Sequence, residues 1–138
     1  MENINNKKAL NKFKELIKNQ DGDISYIEDT SKFEKAKYII PIKSEKIGYI
    51  KSMDNEKIGY ISSSLGAGRL KKEDKINDKV GIIINKKIGD KVNVGDVLGF
   101  IHSDDIEVGN NAVKEMQNCY EFSDEYVEKQ KHILGIIK

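Results

Sequence analysis

Apolar residues in this chain recur in two rhythms, a helical one in three separate stretches and a strand-like one between and after them. Across residues 7–20, Leu10, Phe13 and Ile17 share one face, flanked by Ala9 and Leu16, while lysines fill the other. That spacing predicts an amphipathic helix, ended by Asp21-Gly22-Asp23. Residues 24–36 are mixed, with Asp29-Thr30-Ser31 offering a cap for one short helical turn. Tyr38 to Ile42 reads as a strand; Pro41 lacks an amide hydrogen, so this strand belongs at an edge or has Pro41 near its end.

The pentapeptide Lys-Ile-Gly-Tyr-Ile occurs at 46–50 and again at 57–61, each time after a glutamate. The flanks separate the two copies. In the first, Ile40, Ile42, Ile47 and Tyr49 alternate with polar residues, which predicts a strand. The second follows Asp54, a good N-cap, and continues through Ile58, Ile61, Ser62 and Leu65 at helical spacing, so a helix is expected over 55–65. Gly66 stands where a left-handed helix end favours glycine. A glycine-then-charge loop follows over 66–79, then a buried strand from Val80 to Asn85. Two Gly-Asp turns between Ile88 and His102 give a turn–strand–turn–strand pattern. A second amphipathic helix is expected from Asp105 to Tyr120 on Val108, Ala112, Val113, Met116 and Tyr120, with Gly109 weakening its first turn. A polar connector over 121–130 and a last strand from His132 to Ile137 complete the reading. The class is α+β, with a helix across five or six short strands and two peripheral helices.

Composition narrows the function classes. The 138 residues suffice for one domain, or one small domain with an appended helix. A basic count of 24 against 23 acidic residues leaves a net charge of +1, without the basic excess of a nucleic-acid binder. Apolar runs are short, so no membrane span is expected, and Met1 to Asn6 do not read as a secretory leader. Cys119 is alone, which excludes an intrachain disulfide and fits an intracellular, cytoplasmic location.

Few residues could carry chemistry. His102 and His132 lie far apart in the chain without zinc-ligand spacing, so no metal site is expected. Cys119 falls on the helical face with Met116, as a packing cysteine would. The pairs Glu73-Asp74 and Asp104-Asp105 are sequence neighbours whose side chains diverge, as solvated carboxylates do. The sharpest feature is Gly66-Ala67-Gly68-Arg69, holding the only arginine among 24 basic residues. Glycines leave amides free and Arg69 could meet an anion, although the same glycines could simply end a helix. Gly89-Asp90-Lys91-Val92-Asn93-Val94-Gly95-Asp96-Val97-Leu98 resembles the hairpin of biotinyl and lipoyl carriers, which implies half of a flattened barrel. No lysine has the Met-Lys-Met or Asp-Lys-Ala setting of a modified carrier lysine.

Taken in order, longer stretches resemble the C-terminal region of the pyrimidine-nucleoside phosphorylases, which include thymidine phosphorylase. They are Lys8 to Ile17, Ala36-Lys37-Tyr38, Ile58-Gly59, Leu65-Gly66-Ala67-Gly68-Arg69, Lys72 to Ile76, Val80-Gly81-Ile82, Lys87 to Val92, Gly95 to Leu98 and Ile101-His102. Two departures stand out: Asn77 replaces an acidic residue usual in the family, and Tyr60 to Ser64 is more polar than its usual counterpart. The resemblance implies a linker helix and connector over 1–35 and a hammerhead-like α/β domain over 36–138. It also implies a homodimeric parent enzyme, a pentosyltransferase that cleaves uridine or thymidine with phosphate as co-substrate. The family's Lys-His-Ser-Thr-Gly-Gly phosphate segment has no counterpart here, nor does any Thr-Gly-Gly. The chain is therefore expected to be a fragment, monomeric by itself, with no catalytic residue, metal or cofactor of its own. Its partners would be the missing α and α/β domains, rather than nucleic acid or membrane. Gly66, Ala67, Gly68, Arg69, Lys72, Glu73 and Asp74 are the candidates for a loop that helps close the family's cleft. The alternative is a stand-alone carrier-like or protein-interaction module built on the same barrel half.

Overall fold

The computed structural model describes residues 2–69 and 71–129, together with Ile133, Gly135 and Ile137. It divides into two compact units, Met1–Glu34 and Lys35–Lys138. The strand expected from His132 to Ile137 falls largely outside the described residues.

In the first unit, α1 (Glu2–Asn5) precedes α2 (Lys8–Asn19), the amphipathic helix expected from the sequence. Backbone hydrogen bonds from Gln20 and Gly22 to the Ile17 carbonyl end it where the Asp-Gly-Asp run predicts. Asp23 accepts the Ser25 amide ahead of α3 (Ser25–Glu28), and Asp29 accepts the Ser31 amide at a short 3-10 turn, Thr30–Lys32. An ion pair of 3.0 Å between Lys14 and Glu28 joins α2 to α3. Leu10, Phe13 and Leu16 nevertheless remain exposed, and no residue of α2 is buried.

The second unit is α+β, built on two three-stranded antiparallel sheets that do not close into a barrel. The strands are β1 (Tyr38–Lys43), β2 (Gly48–Met53), β3 (Gly81–Ile84), β4 (Lys91–Val92), β5 (Val97–Ser103) and β6 (Tyr120–Ser123). One sheet has the order β1-β5-β3 and the other β4-β2-β6. Pro41 sits opposite Phe100 in β1, an edge strand, where its missing amide hydrogen costs no ladder bond on the open side. Ile42, Ile50, Ile61, Val92, Leu98, Ile101 and Met116 are almost wholly buried in one core. Each side chain of that size contributes roughly 1.5–3 kcal/mol by leaving water.

Several expectations change in detail. Of the first pentapeptide only Gly48-Tyr49-Ile50 is strand, because the chain bends at Glu45-Lys46 on leaving β1. The bend also resets the phase: Ile50 is buried while Ile47 is exposed. The strand expected over 80–85 is shorter and is not fully buried; it lies at a sheet edge, with Ile83 49% exposed. The second helix, α5 (Ile106–Gln117), stops before Tyr120. Tyr120 instead opens β6, where buried Tyr120 and half-buried Phe122 flank exposed Glu121, so 120–123 are strand rather than helix end and connector. Lys51 holds Glu121 at 2.7 Å across this pairing.

The buried face of α5 is Gly109, Ala112 and Met116, and Val108 is exposed. Gly109 is thus a contact residue. A β-carbon there would lie 2.6 Å from the end of Ile40 and 3.1 Å from the Ser103 β-carbon, so its absence lets α5 lie close over β1 and β5. Gly99 does the same within the sheet, since a β-carbon would run into the Ile83 carbonyl oxygen of β3. Backbone cannot swing aside as a side-chain end can. Gly99→Ala is therefore expected to lower stability by about 2 kcal/mol or more, read from the urea unfolding midpoint.

Candidate functional site

The candidate loop begins where a helix fails. Asp54 caps α4 (Asn55–Ser62) by accepting the Lys57 amide at 3.0 Å, and Ile58 and Ile61 bury its inner face. The helix expected to run regularly to residue 65 instead widens into a π turn over Ser63–Ala67. Within it Gly66 takes φ +99°, the left-handed conformation that the sequence assigns to this position, and buried Leu65 holds the turn to the core. Gly68 is extended and packs against Ser63, whose hydroxyl oxygen a β-carbon would meet at 2.6 Å.

The loop then closes on itself. The Asn77 amide donates to the Gly66 carbonyl at 2.9 Å. At its tip the Asp74 carboxylate accepts the Lys71 amide at 2.8 Å, and the Asp74 amide donates to the Lys71 carbonyl. The seven candidate residues therefore split into two groups. Gly66, Ala67 and Gly68 form a half-buried root, whereas Arg69, Lys72 and Glu73 are exposed and Asp74 is half-buried within the tip turn. Arg69 forms no ion pair among the described residues. The root lies at the C-terminal end of its helix, whose dipole disfavours an anion, so it does not make a phosphate cradle by itself.

Two carboxylates that the sequence reading treats as solvated neighbours have separate structural work. Asp104 accepts the Asn77 side-chain amide at 2.9 Å and the Lys37 backbone amide at 2.9 Å, with the Lys79 ammonium at 3.7 Å. The Asn77 hydrogen bond, then the Lys37 amide and the Lys79 charge, hold its carboxyl below the usual carboxylate range. Asp105 caps α5 through the Glu107 and Val108 amides. The Asn77–Asp104 contact spans 27 positions and leaves no periodic signal, which is why sequence reasoning misses it.

The remaining candidates fall elsewhere. His102 lies on the outer side of β5, between Ile39 and Gly81, where it lines a shallow depression with Ala67 and Lys79. Cys119 is buried and its thiol points to the Glu115 carbonyl at 3.3 Å; burial pushes the thiol up from its ordinary range, as suits packing and not nucleophilic attack. A larger open cleft of about 660 Å³ has Met53, Ile82, Ile84 and Ile88 as its apolar lining. Asp90 and Lys129, paired at 2.6 Å, stand at the same cleft. The hydrogen bond from Lys129 is the main reason why the Asp90 carboxyl is held low.

The geometry of Gly66 gives a direct check on the root. A β-carbon there would touch only Val80 and Asn77 at ordinary distances of 3.7 and 3.8 Å, so the space is open and the penalty is conformational. Gly66→Ala is expected to cost about 1–2 kcal/mol, measured by urea unfolding.

Residues 49–123 match the pyrimidine nucleoside phosphorylase C-terminal domain family. The chain is also 44% identical over 127 residues to the pyrimidine-nucleoside phosphorylase of Staphylococcus aureus strain USA300, and 43% identical to that of the bovine strain RF122 / ET3-1. Each match covers 92% of this chain and 29% of the relative. The matched residues take in every strand except β1 and the first residue of β2, together with α4, the loop at 66–79 and α5. On this evidence of sequence, the chain belongs to the pyrimidine nucleoside phosphorylase C-terminal domain family.

Proposed function

We propose that this chain is the non-catalytic C-terminal domain of a pyrimidine-nucleoside phosphorylase. There it helps close the cleft in which uridine or thymidine reacts with phosphate to give the free base and a pentose 1-phosphate. The observation that carries this reading is one of coverage: the likeness runs through 92% of this chain yet spans only 29% of enzymes bearing that name. The rest of such an enzyme, its α and α/β domains, would supply the phosphate and base contacts, and phosphate would be a co-substrate there. The working enzyme would be a cytoplasmic homodimer.

The chemistry suits such a division. Phosphorolysis passes through a cationic sugar, so it needs a well-placed phosphate and the exclusion of water. A closing domain supplies order and exclusion without supplying an acid or base. We assign the rim of the cleft to Gly66 through Asp74, whose tip carries exposed Arg69 and Lys72 on a fastened root. The exposed Leu10, Phe13 and Leu16 of α2 also suit a unit that meets further protein.

A chimera tests the reading, with this chain replacing the matching 127 residues of the Staphylococcus aureus enzyme. The isolated chain is expected to release no uracil from uridine and phosphate, whereas the chimera does. Arg69→Ala in the chimera should lower kcat/KM about tenfold, equivalent to one lost transition-state contact, and leave the melting temperature almost unmoved. Turnover by the isolated chain, or a folded chimera without activity, would contradict the proposal. A lipoyl or biotinyl mass adduct on a lysine of the native protein would favour the carrier alternative.

A further inference from the structure

The loop at 66–79 depends on one side-chain pair whose atoms are all committed. Asn77 uses its side-chain oxygen to accept the Lys79 amide at 3.2 Å and its side-chain nitrogen to donate to Asp104 Oδ2 at 2.9 Å. Asp104 uses its other oxygen, Oδ1, to accept the Lys37 amide at 2.9 Å. The Asn77 backbone amide meanwhile closes the loop on Gly66. Three separate parts of the chain therefore meet at this pair: the approach to β1, the end of β5 and the returning arm of the loop. Among the described residues nothing comparable holds Arg69 or Lys72, which are exposed at the tip.

From this geometry we propose that Asn77 and Asp104 are positioning residues, which register the Gly66–Asp74 loop against the end of β5 and so set where its cationic tip points. The role given to the tip rests on the phosphorylase reading; the anchor itself does not. Neither residue is catalytic, because each acts through the loop.

The pair has a direction, and this makes it testable. One partner must donate and the other accept, while each keeps one oxygen for a backbone amide. Asn77→Asp places a carboxylate against a carboxylate. Asp104→Asn sets its new amide nitrogen against either the Asn77 side-chain nitrogen or the Lys37 amide, because one oxygen cannot serve both donors, and Asn77 cannot turn over without giving up the Lys79 amide. The double exchange, Asn77→Asp with Asp104→Asn, preserves all three bonds: the amide at 104 donates to the acid at 77, each residue keeps an oxygen for its backbone amide, and the net charge is unchanged.

Hydrogen exchange of the whole chain, followed by NMR, reads this directly. The reporters are the amides of Asn77, Lys79 and Lys37, with the Ile50 amide, bonded to the Asp90 carbonyl, as the core control. Asn77→Asp should speed exchange at Asn77 and Lys79 about tenfold, the effect of losing one ordinary hydrogen bond, and Asp104→Asn should do so either there or at Lys37, with Ile50 unchanged in each. The double variant should return all three reporters to within about twofold of the parent. Unchanged exchange in the single variants would overturn the proposal. So would a double variant no better than its singles, or acceleration shared equally by Ile50, which would mark a general loss of stability. Because no turnover is measured, failure here leaves the phosphorylase reading standing, and an inactive chimera leaves the anchor standing.

Discussion

Strand β5 must satisfy two ladders and a crossing helix at once. It pairs with β1 on one side and β3 on the other, while α5 crosses over it. Residues with little bulk are needed wherever another element comes close, and this explains Gly99 beside β3 and Gly109 in α5 above Ser103. Large apolar residues fill what remains, with Leu98 and Ile101 buried among Ile42, Ile50 and Met116. The strand's end then distributes the connections. The Ser103 hydroxyl donates to the Asp105 carbonyl, Asp104 holds the loop and the approach to β1, and Asp105 starts α5. Three consecutive residues thereby fasten three elements to one strand.

Much of this was legible in the sequence where the signal is local. The Asp54 cap, the positive-φ glycine at 66, both long helices and the Gly-Asp turns each lie within a few residues of their cause. The α+β class followed from the same periodicities. What could not be read depends on contacts between distant residues. Gly109 weakens a helix taken alone and favours close packing once β1 and β5 lie beneath it. Tyr120-Glu121-Phe122 has the alternation of a strand, but so short a run becomes one only because β2 offers an edge to pair with.

The candidate loop was named from its residues alone, and its support was not legible. The Gly-Ala-Gly-Arg run marks the end of the helix at Gly66, and Arg69 beyond it is exposed. The Asn77–Asp104 pair that fastens the loop carries no motif, because its two members come together only when the sheet has formed. Within the proposed enzyme this division has a physical sense: the domain's contribution would be the placement of a loop, and placement comes from tertiary contacts.

The central claim is that this domain presents the 66–74 loop to a cleft that closes on substrate. Amide exchange across that loop in the chimera, with and without phosphate and uridine, tests it most directly. Closure predicts slower exchange at 66–74 when both ligands are present. Exchange there that stays unchanged, while other parts of the chimera become protected, would contradict it.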